Sequence, residues 1–129
     1  MGRSRRLERS QCAAQPRRPR RRGGNVVARG EIWWSEDPQL GRRPVLVLSR
    51  EAVLGKLSRP LVAPLTTRVR GIPTEVALDE DDGVPQPCVV SLDNVQPLSR
   101  SLLVEPVTRL GAQRMQEVCA ALAIAVDCD

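Results

Sequence analysis

The 129-residue chain has no histidine, no tyrosine and no phenylalanine, and only two tryptophans. Without histidine it cannot build a Ser/His/Asp triad, a paired-imidazole ribonuclease site or an HExxH zinc site. Long apolar runs are missing too. Val45–Leu48 is four residues long and the longest, Val118–Val126, is nine, against the roughly 18 that suggest a membrane span. The chain is therefore expected to be soluble, with no membrane partner. Cysteine is sparse: Cys12, Cys88, Cys119 and Cys128 stand 76, 31 and 9 residues apart, with no CxxC pair. That spacing fits neither a zinc site nor a dense disulfide scaffold, and reduced thiols in a cytoplasmic protein are expected, with no metal site and no cofactor.

Charge is unevenly placed. Residues 1–28 hold nine arginines and one acid, a balance of +8, while the rest holds 11 basic and 14 acidic residues, a balance of −3, giving the overall +5. A tract such as PRRPRRRGG (residues 16–24) buries no apolar surface and repels itself, so residues 1–28 read as a disordered basic tail able to bind phosphate nonspecifically. The same composition fits a start codon assigned too far upstream, with Val26 or Val27 as the alternative, and it fits a transit peptide. It does not fit a secretory signal, because no apolar stretch follows the arginines.

From residue 29 to 129 the chain reads as one domain. Glu31–Trp34 and Pro44–Ser49 predict two strands joined by the loop SEDPQLGRR, with the second strand fully buried. Leu61–Thr66 and Thr74–Leu78 predict the next pair, with Gly71 and Pro73 marking a bend between them. DEDDG (residues 79–83) lacks the EF-hand pattern and reads as a solvated turn. Cys88–Leu92 predicts a further strand and Leu103–Thr108 a weaker one, demoted by Pro106, for about six in all. Met115, Val118, Cys119, Leu122 and Val126 recur at helical spacing, predicting an amphipathic C-terminal helix from Gly111 or Ala112, with Cys119 in the core and Gln113, Arg114 and Gln116 toward solvent. A short helix near Glu51–Leu57 is also expected. The fold class is mainly β (α+β): a small, strongly bent β-barrel with a terminal helix packed on it.

The order of these blocks carries more than any one of them: RGEIWW, GRRPVLVLS, VAPLTT with GIPTEVAL, CVVSLDNVQPLSR, then VTRL and a helix. In this order the chain resembles the MazF/PemK family, toxins of bacterial toxin–antitoxin modules that cut single-stranded RNA without a metal. The resemblance covers about 100 residues, from Arg29 to the C-terminal helix. It implies an SH3-like barrel, a homodimer, a cognate antitoxin and single-stranded RNA bound on a concave surface at or beside the dimer interface. It also implies that Arg43, preceding Pro44, is catalytic, with Thr66 as its partner. Gln39, Arg42, Thr67, Arg68, Arg70 and Asn94 are expected on the RNA surface.

The chemistry can be stated on its own terms. When a ribose 2′-hydroxyl attacks the adjacent phosphate, extra negative charge collects on the phosphoryl oxygens. An arginine fork gives two charge-assisted hydrogen bonds to such oxygens and stays protonated. A threonine hydroxyl adds a neutral donor or acceptor on a stiff β-branched stem. The expected products are a 2′,3′-cyclic phosphate and a 5′-hydroxyl, with translation and growth inhibited. Arginine is a poor base, and the family supplies a glutamate in the loop before it; here Gln39 and Gly41 fit the family pattern, but Pro38 stands in the glutamate's place. Glu36 or Asp37 is left to substitute, and Glu36 enters the expected catalytic set.

Simpler readings stand beside these. Arg43 next to Arg42 fits a solvated loop charge, and Thr66 an ordinary strand residue. Trp33 and Trp34 point to opposite faces of a strand, so one is exposed and open to base stacking. Asp93 and Asn94 fit a turn bonded to its own backbone. Two whole-protein alternatives are a barrel toxin that inhibits DNA gyrase, disfavoured by the AVDCD ending, and a degenerate RNA-binding module without catalysis.

Overall fold

The computed structural model describes residues 26–38 and 41–128. The basic tail up to residue 25, Cys12 and Gln39 lie outside the described residues. Seven strands appear in the order β1 (Glu31–Asp37), β2 (Gly41–Val47), β3 (Leu61–Thr66), β4 (Glu75–Leu78), β5 (Cys88–Ser91), β6 (Gln96–Pro97) and β7 (Leu103–Arg109). A short helix α1 (Glu51–Leu54) follows β2, and α2 (Ala112–Ala125) ends the chain. The sheet runs β4-β5-β3-β2-β1-β7, with β6 also paired to β3.

β1 and β2 reach further than their apolar residues predict. The polar stretches Ser35–Asp37 and Gly41–Arg43, expected as loop, are paired strand: Ser35 faces Arg43, Glu36 faces Arg42 and Asp37 faces Gly41. Backbone pairing needs no apolar side chain, so a hairpin can carry its register out to a polar tip. Gly41 turns the chain there at φ 82°, a conformation that favours glycine.

Alternation along the strands sends side chains to two separate cores. Ile32, Leu46 and Ala63, register partners across β1, β2 and β3, pack with Leu65, Val90 and the helix residues Val118 and Ala121. Trp33, Val45, Val47 and Val62 face the other way and pack with Leu54, Leu98 and Leu103. Burial on both faces accounts for the unbroken apolar run Val45–Leu48. Val27 and Ala28 are buried too, so the folded domain begins earlier than charge alone predicts. The guanidinium of Arg100 donates to the carbonyls of Leu54 and Leu57, tying down the end of α1, which stops at Leu54 rather than Leu57.

β3 and β4 are consecutive in sequence but not neighbours, because β5 lies between them. β5 and β6 run as one broken strand along β3, with Val89 facing Thr66 and Gln96 facing Val62. A turn of 3-10 helix, Leu92–Asn94, interrupts them. Pro64, which has no N–H to donate, sits in the stretch of β3 beside that interruption.

DEDDG does more than a solvated turn. Asp79 caps a 3-10 turn at Glu80–Asp82, and Asp82 then joins the two edges of the sheet. Its carbonyl accepts from Thr108 Oγ1 of β7 at 3.1 Å, and its carboxylate accepts from Arg114 Nε of α2 at 3.0 Å. Arg114, expected to face solvent, is thus held by Asp82 and also by Glu117 at 2.9 Å. The Asp82 hydrogen bond, followed by a smaller one to Glu117, raises the Arg114 pKa despite partial desolvation. The helix face is also rotated from the expected one. Ala121 and Val118 are buried, with Met115, Leu122 and Ala125 partly so, while Cys119 and Val126 are exposed. Small alanines let the helix lie close to the sheet, which a search for large apolar residues overlooks.

Two outcomes follow. Gly83 has φ 91°, and a Cβ there would stand 2.4 Å from Thr108 Oγ1; Gly83→Ala is expected to lower stability by about 3 kcal/mol, read by denaturant titration. Burial, then the nearby Asp82 charge, pushes the Cys88 thiol pKa up. The unfolded thiol therefore ionises first, so this contribution is intact below the ordinary thiol range and is lost as pH rises toward the shifted value. Cys88→Ala is expected to make the alkaline decline in thermal midpoint shallower, and iodoacetamide to label Cys119 and Cys128 of the folded protein well before Cys88.

Candidate active site

Pairing of β1 with β2 decides where the charged side chains of the hairpin tip point. Residues that face each other in an antiparallel ladder share a face, and successive residues alternate. Ser35, Asp37 and Arg43 therefore lie on one face, and Trp34, Glu36 and Arg42 on the other. Ser35 is buried at 2% exposure and donates its hydroxyl to the Arg43 carbonyl at 2.9 Å, which fixes the backbone from which Arg43 projects. Arg43 itself is exposed. Its guanidinium makes no hydrogen bond or ion pair with any of the described residues.

β3 brings the second residue to the same place. Its ladder with β2 ends at Val45 facing Pro64; Arg43 and Thr66 each lie two residues beyond that pair, at the same end of the two strands and, by alternation, on the face of Val45 and Pro64. Thr66 is half-buried, and its Oγ1 accepts from the Arg68 backbone N–H at 3.1 Å. That bond starts the loop leaving the strand. Thr67, Arg68 and Arg70 in this loop are all exposed. The loop is closed by Glu75, whose Oε1 accepts from the backbone N–H groups of Arg70 and Gly71 at 3.0 Å each. Arg43 at the start of β2 and Arg68 and Arg70 in the loop after β3 are all exposed, and anionic oxygens would be favoured beside them although the domain as a whole is acidic.

Other expected site residues fall elsewhere. Glu36 is not on the Arg43 face; it accepts from Arg42 Nη1 at 2.6 Å. Arg42 also donates to Glu105 of β7 at 3.1 Å and lies 4.8 Å from the centroid of the Trp34 ring. The exposed-tryptophan reading therefore changes: Trp33 is core, and Trp34 is half-buried with a guanidinium over its ring. Asn94 lies in the interruption beside the middle of β3, where its Nδ2 donates to Ser91 Oγ at 2.8 Å. Asp93 accepts from buried Thr74 at 2.6 Å. These are mostly side-chain bonds, not the self-bonded turn of the simpler reading.

Residues that sequence reasoning passed over are Ser35 and Glu105. Ser35 carries a detectable signal, being a hydroxyl two residues after Trp33 and so on the same core-facing side of the strand; Glu105 carries none, because its partner is 63 residues away. Among the described residues no group of three or more Asp, Glu or Cys side chains gathers at metal-binding distance. A groove of about 330 Å³ between β4 and α2 is lined by Glu75, Val76, Ala77, Ala121 and Ile124.

Comparison with known proteins bears on this geometry. A family described as "PemK-like, MazF-like toxin of type II toxin-antitoxin system" matches residues 28–126. The chain belongs to that family. This MazF-family toxin is 49% identical over 104 residues to the probable endoribonuclease MazF5 of Mycobacterium tuberculosis, covering 80% of this chain and 95% of that protein. It superposes on the M. tuberculosis toxin MazF-mt6 with a TM-score of 0.71 at 38% identity, covering 77% of this chain and 98% of the other. It also superposes on a mycobacterial endoribonuclease solved in complex with its cognate antitoxin, with a TM-score of 0.71 at 28% identity, covering 78% and 95% of the two chains. The matched residues of this MazF-type toxin include Ser35, Arg43 and Thr66. The small barrel-like fold with its C-terminal helix is that of the family, with the edges of the sheet joined through Asp82 and Thr108.

Because the Ser35 hydroxyl is buried and bonded to the Arg43 carbonyl, Ser35→Ala is expected to cost about 1 kcal/mol of stability. Thermal denaturation of the purified variant checks this.

Proposed function

We propose that this toxin is a metal-independent endoribonuclease that cleaves single-stranded RNA at selected sequences, and that Arg43 and Thr66 form its centre. The observation that carries the reading is the exposed Arg43 guanidinium, free of any carboxylate among the described residues, at the end of β2 where β3 ends in Thr66. Its neighbour Arg42 is held by two acids. A guanidinium that neutralises no protein carboxylate is available to a phosphate.

The ribose supplies the nucleophile. Its 2′-hydroxyl attacks the adjacent phosphorus, the bond to the 5′-oxygen of the next nucleotide breaks, and a 2′,3′-cyclic phosphate and a 5′-hydroxyl result. Arg43 donates to the phosphoryl oxygens as charge accumulates on them, a role worth about a hundredfold to a thousandfold in rate for one preorganised donor. Thr66 offers its hydroxyl beside it. Of the two acids before the turn, Asp37 shares the Arg43 face and Glu36 does not, so Asp37 is the carboxylate assigned to take the 2′-hydroxyl proton in place of Glu36. Arg68 and Arg70 bind flanking phosphates, with Thr67 beside them.

Cleavage of cytoplasmic RNA then stops translation and growth. The toxin works as a homodimer and is held inactive by a cognate antitoxin, as the antitoxin complex of the mycobacterial relative supports. Residues 1–28, if translated, add nonspecific and salt-sensitive RNA affinity.

Incubation of the purified protein with a long transcript in EDTA, beside Arg43→Ala, tests the reading. Cyclic-phosphate ends at a short recurring sequence are expected, at least about a hundredfold slower in the variant. Thr66→Val, which keeps the β-branch, is expected to slow cleavage by about tenfold. RNA left intact by the unmodified protein would move the reading to a binding module or a gyrase inhibitor, and unchanged cleavage by Arg43→Ala would remove Arg43 from the mechanism.

A further inference from the structure

The hairpin tip that carries Arg43 extends beyond the sheet that supports it. β1 pairs with β2 out to Asp37 and Gly41, but its pairing with β7 stops at Ser35 facing Leu103, after a register shift between Trp34 and Ser35. On the other side, β2 pairs with β3 only from Val45 inward. Among the described residues, Gly41, Arg42 and Arg43 therefore belong to a two-stranded ribbon, with no ladder pair to a third strand. Such a ribbon twists readily.

One set of side chains ties this ribbon back. Arg42 faces Glu36 across the hairpin and bonds to it at 2.6 Å. Its second nitrogen reaches Glu105 on β7 at 3.1 Å, across Trp34, whose ring lies 4.8 Å below the guanidinium. Glu105 is itself the register partner of Trp34. Arg42 thus links the first hairpin pair beyond the β1–β7 ladder back to Glu105, one pair inside the end of that ladder, and it does so on the face opposite Arg43.

We infer that Arg42 is a positioning residue: with Glu36 and Glu105 it holds the hairpin tip in the orientation that presents Arg43 to phosphate, and it does not itself bind RNA. The inference rests on the proposed role of Arg43 above. A donor displaced by about 1 Å from the developing charge loses up to about a hundredfold in rate, whereas binding of the rest of the RNA strand does not depend on the tip. The clamp therefore acts on kcat, with little effect on KM. Direct phosphate binding by Arg42 would give the opposite pattern.

The experiment measures kcat and KM on a labelled oligoribonucleotide carrying a cut site mapped on a long transcript, for Arg42→Gln, Glu105→Gln, the double variant and Arg43→Ala. Expected are about tenfold lower kcat in each single variant at nearly unchanged KM, and a double variant no slower than either, because both remove the same link. Glu105→Asp, which keeps the charge but shortens its reach, gives the same kcat loss and serves if the amide variant fails to fold. The inference is overturned if Glu105→Gln and Glu105→Asp leave kcat unchanged, or if Arg42→Gln raises KM while Glu105→Gln does not. Arg43→Ala separates the two proposals: unaltered cleavage in that variant removes the underlying mechanism, while its loss together with a silent Glu105 removes the clamp alone.

Discussion

In an antiparallel ribbon two consecutive side chains cannot share a face, and the site of this toxin depends on that constraint. The register of β1 with β2 puts Arg43 beside Ser35 and Asp37, and Arg42 beside Glu36 and Trp34. A shift of one residue would exchange the two arginines. Arg42 would then take the face of Ser35 and Asp37, and Arg43 the face of Trp34 and Glu36. Register is held by the inner part of the same strands, where Ile32 pairs with Leu46 in one core and Trp33 with Val45 in the other. With both faces of the sheet buried, a slip would cost both cores at once, so packing some distance from the tip determines which arginine is free.

The rest of the fold keeps that sheet in shape. Asp82 joins what the ladder leaves apart, accepting from Thr108 on one edge strand and from Arg114 on the helix. Gly83 lets the backbone approach Thr108 more closely than any side chain would allow. Asp82 is 13% exposed and Arg114 32%, so this pair is better shielded from solvent than the ion pairs of the hairpin tip and is screened less by salt. It also charges the surroundings of Cys88, whose thiol is held neutral by burial and by that same carboxylate.

Much of this was legible in the sequence where apolar residues mark structure. β3 occupies Leu61–Thr66, as its short apolar run and flanking turn residues imply, and the short and long helices fall where expected. Legibility fails where small or polar residues decide the outcome. Ser35–Asp37 and Gly41–Arg43 look like loop because nothing in them is apolar, yet ladder pairing extends through them. Ala121 and Ala125, too small to stand out, set the buried helix face and leave Cys119 outside. Arg43 and Thr66 were identified by family resemblance and not by chemistry alone, since a lone arginine in a polar stretch looks like any solvated charge. What divides Arg42 from Arg43 is a contact with Glu105, 63 residues distant, and no local pattern contains it.

The energetics of the tip fit its work. Arg42 and its acids are about half exposed, at 44%, 55% and 63%, and exposed ion pairs are worth roughly 0.2–1 kcal/mol each; a guanidinium over an exposed ring adds about 0.5–1 kcal/mol. Together they amount to only a few times the thermal energy of about 0.6 kcal/mol. That contributes little to global stability, which rests on the two cores, but it is enough to keep an otherwise unsupported ribbon in one orientation most of the time. A buried, rigid clamp would fix Arg43 more tightly but would require desolvating two carboxylates and a guanidinium at the edge of the sheet. A marginal clamp on the outer face and a hydroxyl-anchored backbone on the inner one leave the side chain of Arg43 as the mobile element at the site, on a backbone that is not.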